Sequence, residues 1–179
     1  MLELPREKLV YVDEMGINLV MTMRFARAPQ GERALSRLPF IRRSNISVVA
    51  AIRESGVVTW RPKDEAVNEE WFTMFVTDHL VPKLTPGDFV VLDNIAFHKC
   101  DAVREVIEAA GAHVLFTPPY SPEMNAIEEV FSIVKAKLRR ISARKLADLI
   151  DALRVAFSIP STTLRKLVSH ALEHAAQLL

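Results

Sequence analysis

The chain has 179 residues, half of them hydrophobic and a quarter charged, with a formal net charge of +1. That composition suits one folded domain, or one domain with a helical appendage, and excludes global disorder. No apolar run approaches the roughly 18 uncharged residues of a membrane span, residues 1–8 carry no secretory or transit pattern, and the single cysteine, Cys100, rules out an internal disulfide. The expected location is cytoplasmic, with no membrane partner.

In chain order, Leu9-Val10-Tyr11-Val12-Asp13 is a β-rich run ending in an acid. Gly16 then permits a turn before an extended apolar pattern from Ile17 to Met23, so this stretch reads as two strands. A polar, Arg-rich loop leads to Ile46–Ile52, a Glu54-Ser55-Gly56 turn and Val57–Trp60, the pattern of an antiparallel hairpin. Residues 68–84 space Trp71, Phe72, Phe75, Val76, Leu80 and Leu84 as one helix face, closed by Pro86-Gly87.

Phe89-Val90-Val91-Leu92-Asp93 is apolar without alternation, as in a strand buried on both faces, and it too ends in an acid. A helix over 101–110, stopped by Gly111, and a short strand His113–Phe116 complete a parallel βαβ unit. Pro118-Pro119-Tyr120-Ser121-Pro122 reads as a rigid connector. Ile127, Val130, Phe131, Val134 and Leu138 then form a helical stripe, and Leu146–Leu172 gives two more amphipathic helices broken at Pro160. These last helices are expected to pack on the domain first and to serve subunit pairing second.

Two basic clusters stand out in the near-neutral chain. One runs Arg24, Arg27, Arg33, Arg37, Arg42, Arg43; the other runs Lys135, Lys137, Arg139, Arg140, Arg144, Lys145. Both are candidate phosphate contacts, although charge alone favours a solvated loop and helix face. No Cys/His cluster has zinc-site spacing.

In an open α/β sheet, chemistry collects at the carboxyl ends of parallel strands. Asp13 and Asp93 occupy such ends, and Glu128, beside Ile127 on the buried stripe, can lean toward the same crevice. Three carboxylates form a hard oxygen site suited to Mg²⁺ or Mn²⁺. Two such ions about 3.5–4 Å apart serve an in-line phosphoryl displacement. Read singly, each acid has a plainer use. A strand-terminal Asp caps turns, and Asn125 and Glu128 have capping-box spacing. Glu14, Asp88, Glu123 and Glu129 also compete for the assignment.

Three segments carry a family resemblance. They are Tyr-Val-Asp-Glu-Met-Gly at 11–16, Val-Leu-Asp-Asn-Ile-Ala-Phe-His-Lys at 91–99, and Pro-Pro-Tyr-Ser-Pro-Glu-Met-Asn-Ala-Ile-Glu-Glu-Val-Phe at 118–131. Together with the Arg-rich loop after Arg24 and the Asp93–Glu128 interval, they resemble the mariner superfamily of DDE transposases and its bacterial insertion-sequence branch, over roughly residues 8–140. The resemblance implies a ribonuclease-H-like, mixed five-stranded sheet flanked by helices in residues 1–140, with a C-terminal helical extension over 141–179. It implies Asp13, Asp93 and Glu128 as catalytic, metal-binding acids. Asn94, His98 and Asn125 would be motif neighbours shaping the site or touching DNA, with Arg24, Arg33, Lys135, Arg139 and Arg140 on DNA. The implied activity is Mg²⁺- or Mn²⁺-dependent cleavage and strand transfer, with transposon ends and target DNA as partners and a homodimer joining the ends.

Two departures stand out. Ala126 replaces the usual Pro beside the glutamate, which loosens the helix start but removes no ligand. The family's helix-turn-helix modules precede its first catalytic strand, whereas only about eight residues do so here, so end recognition is not expected from this chain; a separately encoded amino-terminal DNA-binding part, truncation, and loss in a decayed element all fit. Two alternatives stay open: a ribonuclease-H-like nuclease without strand transfer, and an inactive or domesticated DNA-binding or oligomerisation module.

Overall fold

Residue parity along the central strand decides which way each acid faces. In the computed structural model, which describes residues 4–23, 25–35 and 45–177, β1 (Leu9–Asn18) lies in the middle of a five-stranded sheet of order β3-β2-β1-β4-β5. It pairs antiparallel with β2 (Asn45–Arg53) and parallel with β4 (Phe89–Leu92). The hairpin partner β3 (Gly56–Asp64) forms one edge, with Arg61-Pro62-Lys63 along it, and β5 (His113–Phe116) forms the other. The expected hairpin and parallel βαβ unit are both present.

The expectation of two strands between Leu9 and Met23 is corrected. Gly16 does not turn the chain: it lies within β1, paired with Ser47, and the strand continues to Asn18. A glycine is tolerated there because eight consecutive pairs with β2 hold the backbone extended. Asp13 is therefore an interior residue of β1 rather than its last.

Odd-numbered side chains of β1 (Leu9, Tyr11, Met15, Ile17) join a hydrophobic layer with α3 (Ala126–Ile141), α4 (Leu146–Ala156) and α5 (Ser161–Gln177). Val10 and Val12 point the other way, into a layer with α1 (Glu69–Phe75) and α2 (Asp101–Ala109). By the same alternation Asp13 faces α3, and Asp93, two residues beyond Val91 of the α3-side layer, shares that side.

The helix expected over 68–84 begins as α1, capped by the Asn68 side chain accepting from the Trp71 amide. It then widens into a π-helical turn at Val76–Leu80 and tightens at Val81–Lys83, where Pro82 ends it. The last two helices pack as expected. Leu149, Leu153, Leu164 and Val168 are buried in the α3-side layer, and Phe157 stacks on Trp60 of β3. No helix among the described residues is long and apolar enough to cross a membrane.

Candidate active site

The parallel register that sets Tyr11 beside Val91 brings Asp93, the residue after β4, level with Asp13. Glu128 enters from the first turn of α3. The three acids line one open cleft of about 390 Å³, together with Asn94, Thr117, Asn125 and the segment Pro118–Pro122. At its rim Tyr120 is fully exposed with a left-handed backbone, φ 58°.

The acids are not alike. Asp13 is buried and its pKa is raised to about 8, first by burial and then by the negative charges of Glu14, Asp93 and Glu128, against the lowering effect of a 2.7 Å hydrogen bond from the Glu14 amide. Its other oxygen accepts from the Asn125 side-chain amide at 2.9 Å. Asn125 occupies the N-cap position of α3 yet makes no side-chain cap; the amide turns to Asp13 instead, so the capping-box alternative for Asn125 and Glu128 is not realised.

Asp93 is anchored by His98, whose Nδ1 meets its Oδ1 in a short contact. His98 is buried, not solvent-exposed, and its Nε2 lies 3.2 Å from Glu14. Burial alone would lower the imidazole pKa, but the hydrogen bonds to Asp93 and Glu14 outweigh it and raise it to about 9. An imidazolium thus links an acid from the end of β4 to one on β1. The ring also packs on Phe72 of α1, with centroids 4.3 Å apart.

Divalent-cation binding has a clear electrostatic rationale here. Three carboxylates share one cleft, one of them held protonated near neutrality by the others and by burial, and the buried Oδ1 atoms of Asn94 and Asn125 have no hydrogen-bond partner. An oxygen-rich wall of this kind fits a hard cation and its waters. Among the described residues no three ligating side chains already converge on a single point.

The basic residues divide by use. Lys135 and Arg139 line a separate polar hollow with Gly16, Asn18 and Met21, and Arg140 is exposed on α3. Arg33 lies on the exposed loop 25–35, away from the cleft lining, and Arg24 falls outside the described residues. Two cations of the second cluster are occupied internally. Arg144 donates to the carbonyls of Leu19 and Met21, and Lys137 to those of Ala156 and Ser158 at the end of α4. Glu14 as the second partner of His98, and Thr117 and Tyr120 in the cleft, were not assigned by sequence; Glu14 stood there only as a competing acid and Tyr120 only within the Pro-rich connector.

Comparison with known proteins agrees with this architecture. In fold the chain is similar to a Mos1 transposase paired-end complex with left transposon end (TM-score 0.77, 20% identity, covering 94% of this chain and 53% of that one). It is also similar to the Mos1 strand transfer complex (0.75, 19%, 94% and 53%) and to the catalytic domain of Mos1 mariner transposase (0.68, 17%, 93% and 78%). The chain spans about half the length of the first two. No curated protein matches it by sequence. The sequence pattern of the DDE superfamily endonucleases covers residues 8–150, and with the sheet order and the placement of the acids around one cleft, the chain belongs to that family.

Proposed function

We propose that the chain is the catalytic domain of a DNA transposase of the insertion-sequence branch of the mariner superfamily, cutting DNA at the element's ends and joining the freed 3′-hydroxyl to target DNA. The observation that carries this reading is the meeting of Asp13, Asp93 and Glu128, from three separate elements, along one cleft. The solved Mos1 structures of the same fold include complexes with Mn and with Mg.

Asp13, Asp93 and Glu128 are the residues that would hold Mg²⁺ or Mn²⁺, and such ions supply activation of an attacking oxygen and stabilisation of a leaving one. The chain's own part is to aim the ligands. Asn125 fixes one oxygen of Asp13, and His98 fixes Asp93 while tying it to Glu14. Lys135 and Arg139 follow Glu128 by seven and eleven residues on one helix face, about 10 and 16 Å along the axis. Backbone phosphates of bound DNA have a path there, with Arg140, Arg33 and Arg24 as outlying contacts. Residues 1–140 would carry catalysis and 141–179 would brace α3, while a homodimer brings two transposon ends together.

The test is cleavage and joining of a pre-nicked, labelled duplex in Mg²⁺ or Mn²⁺, with Asp93→Asn and Glu128→Gln compared against wild type. Both reactions should fall at least about 100-fold in each variant while circular dichroism stays unchanged. Cutting without joining would favour a plain nuclease, and product that persists in both variants would refute the assignment of the acids.

A further inference from the structure

On the side of α3 that meets α5, one residue past Glu128, a second constellation has no part in the reading above. His170 and His174 stand one turn apart on α5, with their Nε2 atoms 3.1 Å from each other. His170 Nδ1 lies 2.6 Å from Glu129 Oε1. The group is open to solvent, with the side chains of His170 and Glu129 54% and 43% exposed.

Two imidazole nitrogens this close either share a proton or share an ion. A straight N–H···N bond places the two rings end to end, with centroids about 5.4 Å apart for a 3.1 Å contact. Two nitrogens converging on one ion at about 2.0–2.1 Å subtend about 95–100° and bring the centroids to about 4.8 Å. The observed separation is 4.6 Å with the planes at 72°, nearer the shared-ion value than the end-to-end one.

Glu129 strengthens the case. A carboxylate accepting from Nδ1–H leaves Nε2 as the free lone pair and fixes the ring, the arrangement that supports metal-bound histidines. Opening the nitrogens by about 0.25 Å, within side-chain freedom on an exposed helix, reaches tetrahedral spacing.

We propose that Glu129, His170 and His174 form a binding site for a late first-row divalent ion of the Zn²⁺ or Ni²⁺ type, with two imidazole ligands from the chain and water in the remaining positions. Imidazole pairs favour these ions over Mg²⁺, which takes oxygen, so the site differs in chemistry from the acidic cleft. Among the described residues no third ligating side chain joins the pair, which sets it apart from a four-ligand structural zinc cage and explains why residue spacing alone passed it over. Through Glu129 the bound ion clamps α5 to the first turn of α3, beside Glu128.

The experiment is titration of the whole chain with Ni²⁺ and with Zn²⁺ by calorimetry, in saturating Mg²⁺ to occupy the acidic cleft, for wild type, His170→Ala/His174→Ala and Glu129→Gln. Wild type should take up one equivalent that the double variant lacks, and Glu129→Gln should weaken that equivalent about tenfold. In a parallel Cu²⁺ titration, the electron paramagnetic resonance spectrum should show coupling to two imidazole nitrogens in wild type only. Equal stoichiometry and affinity in wild type and the double variant would overturn the proposal. All three proteins should keep the same circular dichroism, because both histidines lie on the solvent side of α5.

Discussion

The Asn125 side chain donates to Asp13 Oδ2 across 2.9 Å, joining the N-cap of α3 to the interior of the central strand over 112 residues of sequence. Its own Oδ1 is buried and unpartnered. Asn125→Ala removes the donor that orients Asp13. The expected outcome is a loss of about 1–2 kcal/mol of stability in denaturant melts, with Mg²⁺ or Mn²⁺ affinity down about 10–100-fold. Unchanged metal affinity would reduce this contact to a helix-start detail.

Stability without metal should fall as pH rises. Asp13 titrates near 8 in the folded chain against 3.8 as a free side chain, so between those values the native state holds a proton that the unfolded state has lost. Its slope approaches about −1.4 kcal/mol per pH unit at most. His98 acts in the same direction, since a folded pKa of about 9 against 6.5 gives stability that is complete below 6.5 and lost as pH passes 9. Denaturant melts from pH 4 to 9 should show the decline, and Mg²⁺ should flatten it. A rising curve would contradict both shifts.

Asp13→Asn follows from the same charge crowding. Relieved of a buried carboxylate facing three others, the metal-free variant should gain on the order of 1–3 kcal/mol at pH 8 and almost nothing at pH 4, while catalysis is abolished. Thermal melts at the two pH values check the first part and the nicked-duplex assay the second.

His98→Ala should act through Asp93. With the imidazole gone, Asp93 and Glu14 lose their shared partner. Metal-dependent cleavage should then need higher Mg²⁺ and run about 10–100-fold slower at the old concentration. A shift of the Mg²⁺ titration midpoint distinguishes positioning from simple loss of packing on Phe72, which would lower stability alone.

The basic residues of α3 and the segment after it should separate by assay. Arg139→Ala should lower the salt dependence of DNA binding by about one unit of slope with little change in stability. Arg144→Ala, which breaks hydrogen bonds to the Leu19 and Met21 carbonyls, should leave the slope alone and cost about 1–3 kcal/mol of stability.

That contrast marks where sequence reading stops. Periodicity revealed the hairpin, the βαβ unit and the helical stripes, because burial imposes repeats of two and 3.6 residues. It misjudged Gly16, since a glycine inside a well-paired strand looks the same as one in a turn. The π-helical widening after Phe75 has no residue signature, and Pro82 announces only its end. The duties of Arg144 and Lys137 depend on carbonyls supplied by distant segments. Nothing in the sequence marks His98 as buried, whereas Phe72 covers it from another helix. The motifs marked Asp13, Asp93 and Glu128 out from competing acids; only the register of β1 on β4 and the entry of α3 show that they line the same cleft.

The sheet margins constrain how copies of the chain can meet. Along β3 the outward strand carries Pro62, which has no N–H to offer, between Arg61 and Lys63, and at the opposite margin β5 is only four residues long. A neighbour seeking to extend the sheet would find an interrupted ladder on one side and a very short one on the other, features that oppose templated filament growth. Association between copies is thereby steered away from strand addition and toward helices and loops.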